Sequence, residues 1–442
     1  MLKASTTTDR RAHRPSVASA ISPVALRDLE LSQPCAPIVL NDEFAGLRVL
    51  VRIDGRPVGQ LRFVRPGREV TPAQLRAALD AQLDSAVLRC AWREQLDDRA
   101  PLSAPQPAIS VVVCTRDRTA SLESCLDALL AIDYPQFEVI VVDNAPTSES
   151  TAALMQQRIA QRAGSPLHGS PDLRYVLEPQ AGLDWSRNRG MREAKHDIIA
   201  YTDDDVCVDT GWLRGIARGF RDPDVRLVTG LVVPGELDTD AQVIFEDYCS
   251  GMGKGMSPRV IIADASLTAG QRLSVHHLGV GANMAFRREW LQQLGGFDTA
   301  LDVGTASHGG GDLDIFHRTL LAGGTARYEP RAFVRHYHRR EMPALRLQLR
   351  DNGRAFGVYL LSRWSMHERP RAPVLQFAIG TWLPWLAGRA IRRLLGRDEL
   401  PIALQAEEWR GLFAAPFAWR ATYANDRRRR TNDAPPVQVP VG

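Results

Sequence analysis

A chain of 442 residues, 44% hydrophobic and 24% charged, is too long for one simple core and too apolar to be disordered or fibrous, so one large domain with flanking pieces is expected. The formal net charge of +4 creates no demand for a nucleic-acid partner, and none is expected; the basic residues crowd instead into the C-terminal part, at Arg389, Arg392, Arg393, Arg397 and the run Arg427 to Arg430. Six cysteines without C-x-x-C pairing point to a reducing compartment, and no apolar segment follows Arg10-Arg11 as an export signal would require, which makes cytoplasmic location the default.

Residues 1–30 are rich in Ser, Thr, Ala and Arg without periodicity and read as a flexible tail. Residues 31–100 read as a small α+β module: GLRVLVRIDGRPVGQLRFVRPG gives two strands around the turn-forming Asp54-Gly55, and a helix starts at Thr71. Residues 101–107, with Pro101, Pro105 and Pro107, read as a linker.

From 108 to 340 apolar runs alternate with amphipathic helices, from AISVVVCT and SLESCLDALLAI through FEVIVVDN and DIIAYTDDD to VRLVTGLVVPG. Leu122, Cys125, Leu126, Leu129 and Leu130 recur at i, i+3, i+4, i+7 and i+8, one buried helical face. The alternation predicts an α/β fold with a mainly parallel sheet covered by helices on both sides. In such sheets ligands bind beyond the carboxyl ends of the strands. That is where the sequence puts Thr115-Arg116-Asp117, Asp143-Asn144 and Asp203-Asp204-Asp205.

Three adjacent carboxylates repel one another. At i and i+2 of a strand end, Asp203 and Asp205 can point the same way and share one hard divalent cation, while Asp204 turns elsewhere. Capping of the following helix would use one Asp, and Asp209 and Thr210 stand nearer to it.

Taken with their order and spacing, SVVVCTRDR, EVIVVDNAPT, SRNRG, TDDDV, GANMAFRRE, GGFD, GGDLD and VRHYH resemble the inverting family 2 glycosyltransferases of GT-A fold, over roughly Ala108 to His338. The resemblance implies a Rossmann-like nucleotide-sugar fold, with Asp203 and Asp205 as a metal-binding D-x-D. It also implies a donor-binding set at Thr115, Arg116, Asp143, Arg187, Asn188 and Asp204, with Asn283 on the donor or acceptor side of the cleft. Asp312 matches the family's base position and Asp314 its final acid, although Gly311 stands where the family usually has Glu. A helix-capping role for Asp312 is compatible with that assignment. Gly309, Gly310 and Gly311 predict a mobile loop that closes over the donor. His336 and His338 share a strand face, and His336 is the expected third metal ligand. Carboxylate and imidazole ligation with diphosphate oxygens suits Mn²⁺, with Mg²⁺ also feasible.

The function expected is inverting, metal-dependent transfer of a hexosyl or deoxyhexosyl group from a nucleotide-sugar donor to a hydroxyl of a glycan, lipid-linked saccharide or other acceptor, as in polysaccharide biosynthesis. A sugar-phosphate nucleotidyltransferase would want a glycine-rich loop after the first strand, and CTRDRTA contains no glycine. A silent nucleotide-sugar or glycan-binding module would not need Asp203, Asp205 and Asp312 together. GMGKGM lacks the P-loop spacing.

Residues 341–425 read as helical and 426–442 as a basic, proline-containing tail. In VLQFAIGTWLPWLAGRAIRRLLG the apolar run falls short of the ~20 residues of a spanning helix and contains Pro384. Two readings of it stand: an interfacial helix on an anionic membrane at the inner face of the cell membrane, with Trp382 and Trp385 at headgroup depth, or a core helix with its arginines in water. Its apolar face is expected at Ala387, Ala390, Ile391, Leu394 and Leu395, opposite Arg389, Arg392 and Arg393.

Overall fold

The computed structural model describes residues 22–84, 88–89, 92, 106–163, 171–249, 251–264, 267–367, 371–394 and 401–432. The expected tail up to residue 21, linker residues 101–105 and the last ten residues lie outside them.

The N-terminal module has strands β1 (Val24–Glu30), β2 (Ile38–Val39), β3 (Gly46–Ile53), β4 (Arg56–Val64) and β5 (Glu69–Val70). β3 and β4 form the expected hairpin, and Asp54 and Gly55 both adopt positive φ (46° and 80°), the conformation that two-residue hairpin turns require. Part of the stretch read as flexible is structured: β1 pairs in parallel with β3 from Val24↔Gly46 to Glu30↔Arg52. Ala25 and Leu29 enter the module's core, and the Glu30 carboxylate accepts the turn N–H groups of Asp54 and Gly55, each at 2.8 Å. The helix Pro72–Gln82 starts where expected, with Thr71 and Gln74 forming a reciprocal capping box.

The second sheet contains β6 (Ile109–Thr115), β7 (Phe137–Asn144), β8 (Asp172–Glu178), β9 (Ile198–Asp203), β10 (Val206–Val208), β11 (Val225–Pro234), β12 (Arg259–Ile261), β13 (Asn283–Arg287) and β14 (Thr325–His336). Their order is β10-β14-β11-β13-β9-β6-β7-β8, with β12 also on β14. Parallel pairing builds the β9-β6-β7-β8 half and joins β11 to β14; β13 runs antiparallel to β9 and β11. Along β6, Val111 and Val113 enter one apolar layer with Leu122, Leu126 and Trp212, while Val112 and Cys114 enter the other with Ile315, Phe316 and Tyr359. This period-2 division is why the strands read as continuously apolar: both faces are covered. A Cβ at Gly190 would lie 2.3 Å from Val112 Cγ1, so only glycine lets the helix Leu183–Glu193 seat this closely on β6.

The C-terminal region is built on two helices, Met342–Ser362 and Ile402–Asn432. Small residues bring their backbones together: a Cβ at Gly353 would lie 2.2 Å from Glu408 O, and one at Gly411 would lie 1.9 Å from Arg350 O. The second helix continues through residues 426–432, which the sequence pattern assigns to the tail; Asp426 accepts a hydrogen bond from Thr299 at 2.8 Å and Tyr423 donates to Asp298 at 2.9 Å.

The helix Leu383–Leu394 is turned differently from the expected face. Arg389 is buried, donating to Glu408 at 2.9 Å, whereas Ile391 is 56% exposed. Trp382 packs on Phe356 at 4.9 Å between ring centroids, so it is part of the fold. No described helix is long and apolar enough to cross a membrane.

Candidate active site

Thr115 and Asp143 are register partners at the ends of β6 and β7, and Asp203 ends the neighbouring β9 opposite Cys114. The acidic triplet divides as the i, i+2 argument requires. Asp204 turns away and accepts from Thr115 Oγ1 at 2.7 Å and Arg118 Nη1 at 2.6 Å. Asp205 accepts from Arg118 Nη2 at 2.9 Å and lies 3.3 Å from His336 Nε2. One ligand atom from each of Asp203, Asp205 and His336 falls within 4.8 Å of the others.

The electrostatics of the cluster follow from burial and crowding. Burial and the neighbouring Asp205 push the Asp203 carboxyl up to about 7, and burial pushes Asp204 up to about 6 against the pull of Arg118 and Thr115. His336 is pushed down to about 4, chiefly by burial, so its imidazole is neutral near pH 7. Its Nδ1 is buried without a hydrogen-bond partner. A neutral imidazole beside two carboxylates is a donor set suited to Mn²⁺ or Mg²⁺.

Arg118 is the functional candidate that sequence reasoning missed. As one of three basic or acidic side chains in TRDR it carried no distinguishing signal, yet it clamps two of the three aspartates. Arg116 is exposed, while Asp117 binds Thr147 through N at 2.9 Å and Oγ1 at 3.0 Å, tying the loops after β6 and β7 together. Asp143 accepts from the Tyr175 hydroxyl at 3.0 Å through Oδ2; its Oδ1 is buried with no partner, and burial raises its pKa.

A second charged centre surrounds Arg187. Buried on the helix Leu183–Glu193, it donates to Asp184 at 2.9 Å and Asp302 at 2.7 Å, and stacks over Phe297 at 5.4 Å. Asp312 sits beside it at the start of the helix Gly311–Leu321, after Gly310 in the left-handed region (φ 99°). Its Oδ2 accepts from Gly281 N at 2.9 Å and its Oδ1 from Leu313 N at 2.8 Å. Burial and the nearby Asp302 raise its pKa against Arg187. The structure also accounts for Gly311: a Cβ there would lie 2.1 Å from Asp184 Oδ2 and 2.6 Å from Asp302 Oδ2. Two carboxylates from elsewhere in the chain fill the space a glutamate would need.

Three expected substrate-binding residues face inward. The Asn188 amide is exchanged with the backbone of Phe297, donating at 2.9 Å and accepting at 2.8 Å. Asn283 accepts from Trp212 Nε1 at 2.9 Å and donates to Leu231 O and Ala332 O at 3.0 and 2.8 Å, which uses its oxygen and both amide hydrogens. Asp314 is fully buried, held by Arg318 at 2.6 Å and by Arg363. Substrate would have to displace these bonds to reach them. His338 binds Glu246 at 3.3 Å and packs on Phe245, 5.3 Å from the His336 ring.

A family model described as Glycosyl transferase family 2 matches residues 110–295. The Pre-mycofactocin glycosyltransferase of Mycobacterium tuberculosis is 27% identical over 267 residues, covering 57% of this chain and 52% of that protein. The Glucosyl-dolichyl phosphate glucuronosyltransferase of Haloferax volcanii is 24% identical over 199 residues, covering 43% and 56%. The chain thus spans about half the length of these relatives. Among solved structures, the mannosyltransferase PcManGT from Pyrobaculum calidifontis, in complex with GDP-Man and Mn²⁺, overlays with a TM-score of 0.48 at 19% identity, over 75% of this chain and 94% of that one. The segment of this chain that matches glycosyl transferase family 2 contains the acidic triplet.

Proposed function

We propose that the chain transfers a hexosyl or deoxyhexosyl group, with inversion, from a nucleotide-sugar donor to a hydroxyl of a glycan or lipid-linked acceptor. The observation that carries this reading is the convergence of Asp203, Asp205 and His336 at the end of β9 and its neighbours, in a family 2 domain. Mn²⁺ or Mg²⁺ held by these three side chains would supply positive charge against the donor diphosphate.

The other roles belong to the chain itself. The unpartnered Oδ1 of Asp143 is an acceptor for an N–H of the nucleotide base. Arg118 fixes Asp204 and Asp205, so the ligand carboxylate does not have to reorganise. Asp312 takes the proton of the acceptor hydroxyl; its raised pKa moves it toward the working range of a general base, and Gly281 and Leu313 hold its orientation. The lipid-linked acceptor class is supported by the Haloferax relative, named for glucosyl-dolichyl phosphate. A peripheral position at the inner face of the membrane fits the side chains of Phe413 and Phe417, 70% and 76% exposed.

Calorimetry of the full chain with a hydrolysis-resistant nucleotide-sugar analogue tests the core of this proposal. Binding should require Mn²⁺ or Mg²⁺ and disappear in Asp203→Ala and Asp205→Ala. Affinity that is unchanged by EDTA and by both substitutions would overturn the metal assignment.

A further inference from the structure

The segment GMGKGM, Gly251 to Met256, has no part in the roles assigned so far, yet the fold fastens it beside both charged centres. It follows the helix Asp240–Tyr248, whose Glu246 holds His338 at 3.3 Å. Gly251 sits in the left-handed region (φ 48°) against the Glu246 carboxylate, and Gly253 passes close to β11, where a Cβ would lie 3.2 Å from Val232 O. At the far end, Gly255 O accepts from the Tyr328 hydroxyl at 2.7 Å. Arg259 pairs opposite Tyr328, stacks over its ring at 4.7 Å, and donates to Lys254 O at 3.0 Å and His277 O at 3.3 Å. Tyr328 itself stands just before an irregularity in β14: the pairing with β11 jumps from Gly230↔Glu329 to Leu231↔Phe333, and three residues bow out.

Lys254 is the charged side chain of this segment. Its partly buried ammonium feels Asp312 and Glu246, together with Arg259, His276 and His277. Neither carboxylate forms an ion pair with it: Asp312 is held by the N–H groups of Gly281 and Leu313, and Glu246 by His338. Burial pulls the Lys254 pKa below the ordinary lysine value, against the pull of Asp312. An ammonium taken partly out of water without a carboxylate in contact gains by meeting an anion.

Apolar surface begins at the same place. The His276 ring, neutral near pH 7, packs edge-on against Phe356 at 5.8 Å, and Phe356 packs on Trp382 at 4.9 Å. On the helical stretch that carries Trp382, Leu375 and Ile379 are exposed and stand at i and i+4.

We propose that Lys254 binds the phosphate of a lipid-phosphate-linked acceptor, whose apolar chain runs along Phe356 and Trp382 toward Leu375 and Ile379. The ammonium offers three donors to phosphate oxygens, and the aromatic rings offer the chain a dry path. The assignment, which rests on the lipid-linked acceptor proposed above, adds where its head group is read. Because Lys254 and Asp312 feel one another's charge, a phosphate at the first and a hydroxyl at the second can belong to one acceptor molecule.

The test is calorimetric titration of the full chain with octyl phosphate, inorganic phosphate and octanol. It is run in EDTA and without nucleotide sugar, so that a failure here is separate from a failure of metal-dependent donor binding. Saturable binding of octyl phosphate is expected, tighter than that of inorganic phosphate or octanol, weakened at least ~10-fold in Lys254→Met and largely restored in Lys254→Arg. Should Lys254→Met fail to fold, Lys254→Gln replaces it with the same expectation. Absence of saturable octyl phosphate binding overturns the proposal, as does binding that survives Lys254→Met. Inorganic phosphate binding as tightly as octyl phosphate overturns the lipid source. If Lys254→Met instead loses affinity for a nucleotide-sugar analogue in Mn²⁺ and keeps octyl phosphate, Lys254 serves the donor and the proposal falls.

Discussion

His336 reaches Asp205 because β10 pairs antiparallel with the end of β14, setting Val206 opposite His336 and the imidazole 3.3 Å from the Asp205 carboxylate. The geometry fixes the imidazole before any ion arrives. His336→Gln should therefore lower Mn²⁺ affinity by on the order of 10- to 100-fold while leaving the circular dichroism spectrum unchanged. Direct Mn²⁺ titration followed by electron paramagnetic resonance measures it; full affinity in the variant would exclude His336 as a ligand.

Asp312 and Asp314 should fail in different ways. Asp312→Asn keeps its shape and loses its proton acceptor, so turnover should drop roughly 10²- to 10⁴-fold with donor affinity intact. Asp314→Asn leaves Arg318 and Arg363 with a weakened partner in a fully buried site, and should cost stability, up to the ~3–5 kcal/mol of a broken buried ion pair. Urea denaturation beside single-turnover kinetics separates the two.

Restoring the family's usual residue should harm this protein. Gly311→Glu places a Cβ within 2.1 Å of Asp184 Oδ2 and adds a further carboxylate to Asp184, Asp302 and Asp312 at the Arg187 centre, so a loss of at least ~1–3 kcal/mol is expected with no gain in activity. Gly311→Ala should already be destabilising. A stable, more active Gly311→Glu enzyme would contradict the packing.

His276 makes a pH prediction outside the active site. Burial, with His277 and Lys254 nearby, lowers its pKa from the ordinary 6.5 to about 4. Between those values the unfolded chain binds a proton that the folded chain refuses. The contribution to stability is therefore full above pH 6.5 and is lost as pH falls toward 4, with a slope approaching ~1.4 kcal/mol per pH unit. The urea midpoint should fall across that window, and less steeply in His276→Gln.

The exposed Phe413 and Phe417 are four residues apart on one helix and face the same way. Phe413→Ser/Phe417→Ser should reduce flotation with anionic liposomes at low salt, as should deletion from residue 373 onward. If the unaltered protein does not float, the ridge has another purpose.

Much of this fold was legible because strands buried on both faces are written as unbroken apolar runs, and because three aspartates at the end of such a run have few uses. What stayed hidden depends on depth and on distant partners. The resemblance to family 2 implies a place for Asn283 and Asp314 near the cleft, but their inward turn is decided by Trp212, Arg318 and Arg363. Arg389 reads as a solvent-facing charge until Glu408 arrives from another helix. The run containing β13 gave no sign of its antiparallel direction, since side chains alternate alike either way.

The three bowed residues of β14 have a consequence for the chain's evolution. Side chains in a strand alternate between faces, so the number of residues between Glu329 and Phe333 sets the phase of everything downstream, His336 included. Loss of one residue there would preserve the strand but exchange His336 with a neighbour on the opposite face, disconnecting Asp205 from its imidazole without touching either residue. Single insertions and deletions in this segment change the parity on which the cluster depends.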